Sequence, residues 1–306
     1  MLLKAALASA TLLAAPSTQD EPKPVSSPIQ TGNVADLGDV VVEGRSPEQV
    51  QAFVEEAAAP PPGRRLARWN RPICVGVANM EGRYARFMID RIASVAAEIG
   101  VESESPGCEP NIMIIAASDA NDLAQAMVSD RPSAFRPTRT GTDLGSAALE
   151  RFQSTEAPVR WWHVSLPVDV DTGAVATQLA GEIIFEPGGG PPKPLAMRVR
   201  DPSRLRAHTR DELVQATVII DTSKVGRIGF GALSEYVAMV ALAQIAPDAD
   251  TSGYETVLNL FSEGADRTSG LTRWDRDYLG ALYTVRQDRA RWLQQVRDIS
   301  HAMTGE

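Results

Sequence analysis

From Ile73 onward the apolar positions switch repeatedly between a period of two and a period of 3.6 residues. Ile73 to Ala78 predicts a short apolar strand, and Tyr84, Phe87, Met88, Ile92, Val95, Ala96 and Ile99 then share one helical stripe ended by Gly100. Asn111 to Ala117 predicts a buried strand, after which Asp119 stands where a helix running to Val128 needs its cap. Strand, helix and strand of these lengths make a βαβ unit, so the two strands are expected to be parallel. Val159 to Leu166 and Leu213 to Asp221 predict two further strands. Only helical periods follow, at Phe230 to Ile245, Tyr254 to Phe261, Thr272 to Tyr283 and Arg286 to Met303. The predicted fold class is α+β, a mixed sheet with an N-terminal βαβ unit followed by a helical C-terminal half.

Upstream the pattern is different. Ser46-Pro47-Glu48-Gln49 has the form of a capping box with proline in the first turn. Val50, Phe53 and Val54 form the stripe of the helix it starts, and Pro60-Pro61-Pro62-Gly63 stops it. Residues 16 to 38 are rich in Pro, Ser, Thr and Gln and predict disorder, whereas Asp39 to Gly44 is a short β-prone patch. Lys4 followed by the small apolar run Ala5 to Ala15 fits a secretory signal peptide and is too short to span a bilayer. No later run approaches the ~18 apolar residues of a membrane helix. The expected organisation is a signal peptide over 1–16, a disordered or extended segment over 17–45, and a helix with Pro-rich linker over 46–66. A sheet-containing subdomain over 67–228 and a helical one over 229–306 follow, with the compact body starting near Leu66. A periplasmic or secreted location is expected.

Composition narrows the chemistry. The 306 residues carry 30 Lys and Arg against 39 Asp and Glu, a formal charge of −9, which argues against a non-specific nucleic-acid binder. Two Cys and three His are too few for thiolate zinc sites, iron–sulfur clusters or multi-His centres, so neither metal nor cofactor is expected. Cys74 and Cys108 precede the two strands of the βαβ unit, and an even pair in an exported chain predicts one disulfide. Closing a loop of that length is worth about 3–4 kcal/mol on chain entropy.

No nucleophile elbow, Ser-x-x-Lys or Cys–His arrangement occurs in a fitting context, and the Gly188-Gly189-Gly190 loop lacks the Lys-Ser/Thr of a P-loop. Paired-carboxylate hydrolysis stays open, because separations between acids are not legible in a sequence. On the Val159–Leu166 strand, Trp161, His163 and Ser165 face one way while Arg160, Trp162 and Val164 face the other. Trp161 and His163 are therefore candidates for peptide or glycan contact, the alternative being a core Trp and a His satisfied by backbone. Arg198, Arg200, Arg204, Arg206 and Arg210 crowd one segment. Arg204 and Arg206 are candidates for gripping carboxylate or phosphate groups of an envelope polymer, against a charged hairpin paired with Asp201, Asp211 and Glu212.

A sheet whose last strand leads into a helix and then a helical half resembles the layout of zincin metallopeptidases. Their helix carries His-Glu-x-x-His, where this chain has Ser234-Glu235-Tyr236-Val237-Ala238. Glu235 matches the general base, but Ser234 and Ala238 replace both zinc ligands. Leu271-Thr272-Arg273-Trp274-Asp275 running to Leu279 and Leu282-Tyr283 resembles the closing helix of metzincin-like domains. The chain also resembles a group of uncharacterised secreted proteins of alphaproteobacteria. That resemblance rests on the Val40-Val41-Val42 patch, the two cysteines, Arg160-Trp161-Trp162-His163 and the Leu271–Tyr283 stretch. Asp39 to Gly44 resembles a TonB box, which implies a strand-addition partner, against a strand laid on the chain's own edge. Together the resemblances imply a non-catalytic, pseudo-peptidase-like module binding a peptide, protein or envelope component. Glu235 is the one catalytic candidate. The alternative is a metal-independent hydrolase that uses acidic residues on envelope glycan or peptide.

Overall fold

Among the described residues four strands form the sheet, in the order β1 (Val75–Ala78), β2 (Ile112–Ala117), β4 (Thr209–Asp221), β3 (Val159–Asp169). The computed structural model describes residues 45–138, 141–176, 206–226, 228–262 and 269–305. The expected signal peptide, the Asp39–Gly44 patch, the Gly188–Gly190 loop, Arg198, Arg200 and Arg204 lie outside the described residues.

β1, β2 and β4 are parallel and β3 is the antiparallel edge strand, so the sheet is mixed. Helix α2 (Gly82–Glu98) connects β1 to β2 and completes the expected βαβ unit. Cys74 and Cys108 are joined in a disulfide with a Cα separation of 6.1 Å, just before those two strands. Asn111 reinforces the junction by accepting the Cys74 amide and donating to the Pro72 carbonyl. Gly76 is needed here, because a Cβ would come 2.8 Å from the Pro110 ring.

Helices cover both faces. On one side lie α3 (Ala120–Asp130), the short α4 (Pro132–Phe135) and α5 (Ser146–Ser154), closing over Phe135, Phe152, Trp162, Val164 and Ile219. Asp119 caps α3 as expected. Neither α4 nor α5 is foreseen by the sequence pattern, whose apolar stripes are too short there. The larger core lies on the opposite face, around α6 (Phe230–Leu242). Every residue of α6 from Ala232 to Leu242 is buried, which is what a helix without a polar face must achieve. Around it pack α2, a 3₁₀ turn (Val257–Phe261), α7 (Arg273–Thr284) and α8 (Trp292–Thr304).

Beyond shifts of a few residues at the ends of β1, β3, β4 and α6, three differences change the organisation. The helix α1 (Pro47–Ala57) has the predicted capping box, but Val50, Phe53, Val54 and Ala57 are fully buried in the main core. Phe53 meets the rings of Tyr254, Trp274 and Tyr278 edge-on at 5.1, 5.2 and 5.7 Å. The compact body therefore starts with this helix, not near Leu66. The expected Tyr254–Phe261 helix is only the 3₁₀ turn, because the Asn259 side chain holds the Thr251 and Tyr254 carbonyls outside a helix. The last helix starts at Trp292 instead of Arg286, since the preceding segment bridges from Arg289 to Arg206, ahead of β4, and accepts the Ala207 amide at the Asp288 carbonyl.

Candidate functional site

Glu235 lies on α6, with 6% of its surface exposed. Its carboxylate pairs with the Arg91 guanidinium from α2 and accepts the Leu271 amide ahead of α7. The residue thus ties three segments together, and it faces α2, not the edge strand. Ser234 donates its hydroxyl to the Phe230 carbonyl at 2.8 Å, and Ala238 is fully buried. Ala238 has no ligand atom, and the Ser234 hydroxyl is engaged with the backbone of its own helix. Among the described residues no three His, Cys, Asp or Glu side chains converge on a point that would hold a metal.

Between α6 and β3 there is packing where a peptidase-like layout would want a cleft. Trp161 donates its indole N–H to the Ile245 carbonyl at 2.9 Å and meets the Tyr236 ring edge-on. The His163 Nε2–H donates to the Val240 carbonyl at 2.7 Å. Burial pushes the imidazole pKa down to about 4, so the ring is neutral. The expected alternation of the strand holds, with Trp162 on the opposite face donating to the Phe135 carbonyl. The Trp161 indole N–H and the His163 Nε2–H are thus bonded to backbone carbonyls around the C-terminal end of α6, which is the alternative of a core Trp and a His satisfied by backbone. Arg206 is exposed, at the bridge to Arg289.

Each buried carboxylate among the described residues is already engaged. Asp211 binds Arg64 and Arg65, and Glu212 binds Arg210 at 2.7 Å. Asp143 accepts the Thr142 hydroxyl and the Gly145 amide and pairs with Arg136 at 3.3 Å. Asp221 binds Ser223 and Lys224. Asp275 accepts the Val257 and Thr272 amides and the Thr256 hydroxyl, while burial raises its pKa. A hydrolytic carboxylate needs a free oxygen beside a substrate-sized space, and these oxygens are spent on structure.

Open space lies on the outer side of Glu235. A groove of about 410 Å³ is lined by Phe87, Asp90, Arg91 and Ser94 of α2, Gly231 and Glu235 of α6, and Ser269. Phe87 and its neighbour Tyr84 are 48% and 39% exposed. Both lean on Phe230 at the start of α6, with ring centroids 5.7 and 4.9 Å away. The Arg83 guanidinium stacks over Tyr84 at 4.7 Å, and Arg86 is exposed on the same helix. The sequence counts Tyr84 and Phe87 on the buried stripe of α2. They are exposed because α6 begins only at Phe230 and covers one side of these rings. A helical stripe identifies the inward face but not how far along it the covering element extends.

Comparison of the chain with protein-family models, with curated proteins and with solved structures found no match.

Proposed function

We propose that the protein is an exported, non-catalytic binding module. Its groove between α2 and the start of α6 receives a peptide or protein segment that presents an apolar side chain flanked by a carboxylate. The exposed Tyr84–Phe87 pair at the mouth of this groove carries the reading. Two neighbouring aromatic rings left half out of the core are the composition of an interface anchor, and arginine is the other residue enriched at such positions. Arg86 is exposed on this helix and is the cation that would meet a carboxylate, whereas Arg83 already pairs with Glu81 at 3.0 Å.

The engagement of Glu235 supports the non-catalytic half of the reading. A general base must reach a proton on the substrate or a water, and Glu235 spends its oxygens on Arg91 and Leu271. The pseudo-peptidase relationship is part of the same proposal, as is the periplasmic or secreted location.

Panning a displayed peptide library on the full chain tests it. The enriched peptides should pair an aromatic or branched residue with Asp or Glu. Phe87→Ala and Tyr84→Ala should each weaken them by roughly tenfold, the scale of an interface anchor, while the melting transition stays cooperative. Peptides that bind both variants as well as the parent would place the site elsewhere. Stoichiometric bound zinc together with peptide cleavage abolished by Glu235→Gln would replace the binding module with an enzyme.

A further inference from the structure

Arg68 stands on the extended segment that leads towards β1 and bridges to Glu212 of β4. Its Nη1 donates to the Leu282 and Val285 carbonyls at 2.8 and 3.1 Å, where α7 ends. That contact sets a cation at the negative end of the helix. The rest of the guanidinium is not matched. Its Nε lies 3.5 Å from the Asn70 side-chain oxygen, at the limit of a hydrogen bond, and its Nη2 has no partner among the described residues. Unlike the Nε atoms of Arg65 and Arg160, this Nη2 keeps access to solvent. Burial lowers the Arg68 pKa, Tyr283 offsets part of this and Arg210 adds to it, and no carboxylate takes part. A charge drawn partly out of water without a counter-ion is left short of compensation.

Arg71, three positions on, has a side chain 51% exposed. It reaches one oxygen of Glu212 at 3.7 Å, while the other oxygen already holds Arg210 at 2.7 Å. One carboxylate thus serves two arginines, and Arg68 has none. Arg68, Asn70 and Arg71 line a groove of about 320 Å³, which Ile99 to Glu102 after α2 and Tyr283 near the end of α7 also line. The groove lies at the opposite end of α2 from Tyr84 and Phe87 and does not depend on what is bound there. We propose that it binds the carboxylate of a small monoanion, held between the Arg68 Nη2 and the Arg71 guanidinium.

Charge and size set the ligand class. A guanidinium matches a planar carboxylate in shape as well as in charge. Glu102 is exposed in the same groove, so two arginines against one acid leave it suited to a single negative charge and opposed to a second. Liquid water occupies roughly 30 Å³ per molecule, so the groove has room for about ten waters, or for an acid of several carbons. Two sources carry this chemistry, a free short-chain acid and the C-terminal carboxylate of a peptide.

The isotope-labelled full chain is titrated with isobutyrate and with N-acetyl-alanyl-alanine, each beside its uncharged amide. The backbone amide signals of Asn70, Gly100 and Glu102 report on the groove by nuclear magnetic resonance. Either acid or both should shift these signals saturably, and the amides should bind at least roughly tenfold more weakly, because a charge-assisted hydrogen bond is lost. Arg71 is the residue to vary, since Arg68 also holds the end of α7. Arg71→Gln should weaken the acids by roughly five- to tenfold and leave the amides unchanged, while the melting transition stays cooperative. Glu102→Gln should tighten the acids by roughly two- to fivefold, because a like charge leaves the groove. Isobutyrate binding alone identifies a free acid, and binding of N-acetyl-alanyl-alanine, alone or with it, identifies a chain end. No saturable shift with either acid, amides that bind equally well, undiminished binding to Arg71→Gln, or weaker binding to Glu102→Gln overturns the site.

Discussion

Glu235 and its neighbour Gly270 show how little room the inner side of the groove has. A Cβ on Gly270 would overlap the Glu235 carboxylate, so the glycine is what lets the chain pass close enough for Leu271 to donate its amide. Gly270→Ala should therefore cost about 1–3 kcal/mol, the range for forcing atoms into a packed site. Glu235→Ala should cost about 1–3 kcal/mol, since it removes a buried acceptor and an ion pair whose arginine is one-third exposed and partly screened. Glu235→Gln should cost less, because an amide oxygen still accepts the Leu271 N–H. Urea unfolding of the three variants checks the order. His163 sets a pH dependence. Its folded pKa of about 4 lies below the value of about 6.5 in an unfolded chain, so the unfolded state takes up the proton first as pH falls. Stability should drop between those two values by up to about 3 kcal/mol and level off below them, with no contribution above. His163→Gln should flatten that part of the stability curve, measured by denaturant midpoints across the window.

Among the elements, the two capping boxes have unequal duties. Ser46 accepts the Gln49 amide at an exposed helix start, so Ser46→Ala should cost about 1 kcal/mol. Thr272 sits in a larger network, in which its hydroxyl donates to the Glu255 carbonyl at 2.7 Å and Asp275 binds Thr256 and Val257 of the 3₁₀ turn. Thr272→Ala should fall at the upper end of the cap range, about 2 kcal/mol, because it loosens the turn as well as the helix. Thermal melts of the two variants separate the cases. The same scale explains why both faces of β3 are dry. As an edge strand it would be expected to show one wet face, but α5 covers Trp162 while α6 covers Trp161 and His163.

At the scale of the whole molecule, the N-terminal helix and the disulfide fix how the chain is bounded. A chain starting at Leu66 loses the fully buried Val50, Phe53 and Val54, each worth about 1.5–3 kcal/mol of burial, and uncovers Trp274 and Tyr278. It should show no cooperative melting transition, whereas a chain starting at residue 44 should retain one. The Cys74–Cys108 link closes a sequence separation of 34 residues. Replacing both cysteines with serine should cost up to about 3–4 kcal/mol through the greater freedom of the unfolded chain. The comparison of denaturant midpoints with and without reductant in the parent protein provides the control. Among the described residues no helix is long and apolar enough to cross a membrane.

Local rules made several features legible in the sequence alone. The Ser46 capping box, the βαβ unit, the cysteine pair and the alternation of Trp161 against Trp162 each follow from periodicity or from contacts a few residues apart. The order of the strands, the antiparallel edge and the burial of α1 required the tertiary structure, because they depend on which distant surfaces meet. The same applies to the candidate sites. Glu235 is conspicuous in the sequence by its neighbours, yet its role is decided by Arg91, 144 positions earlier, and by Leu271 beyond the helix. Tyr84 and Phe87 belong to the right stripe, but only the starting point of α6 leaves them half uncovered. Periodicity encodes which face turns inward. What finally covers that face, and where the cover stops, is a property of the packed molecule.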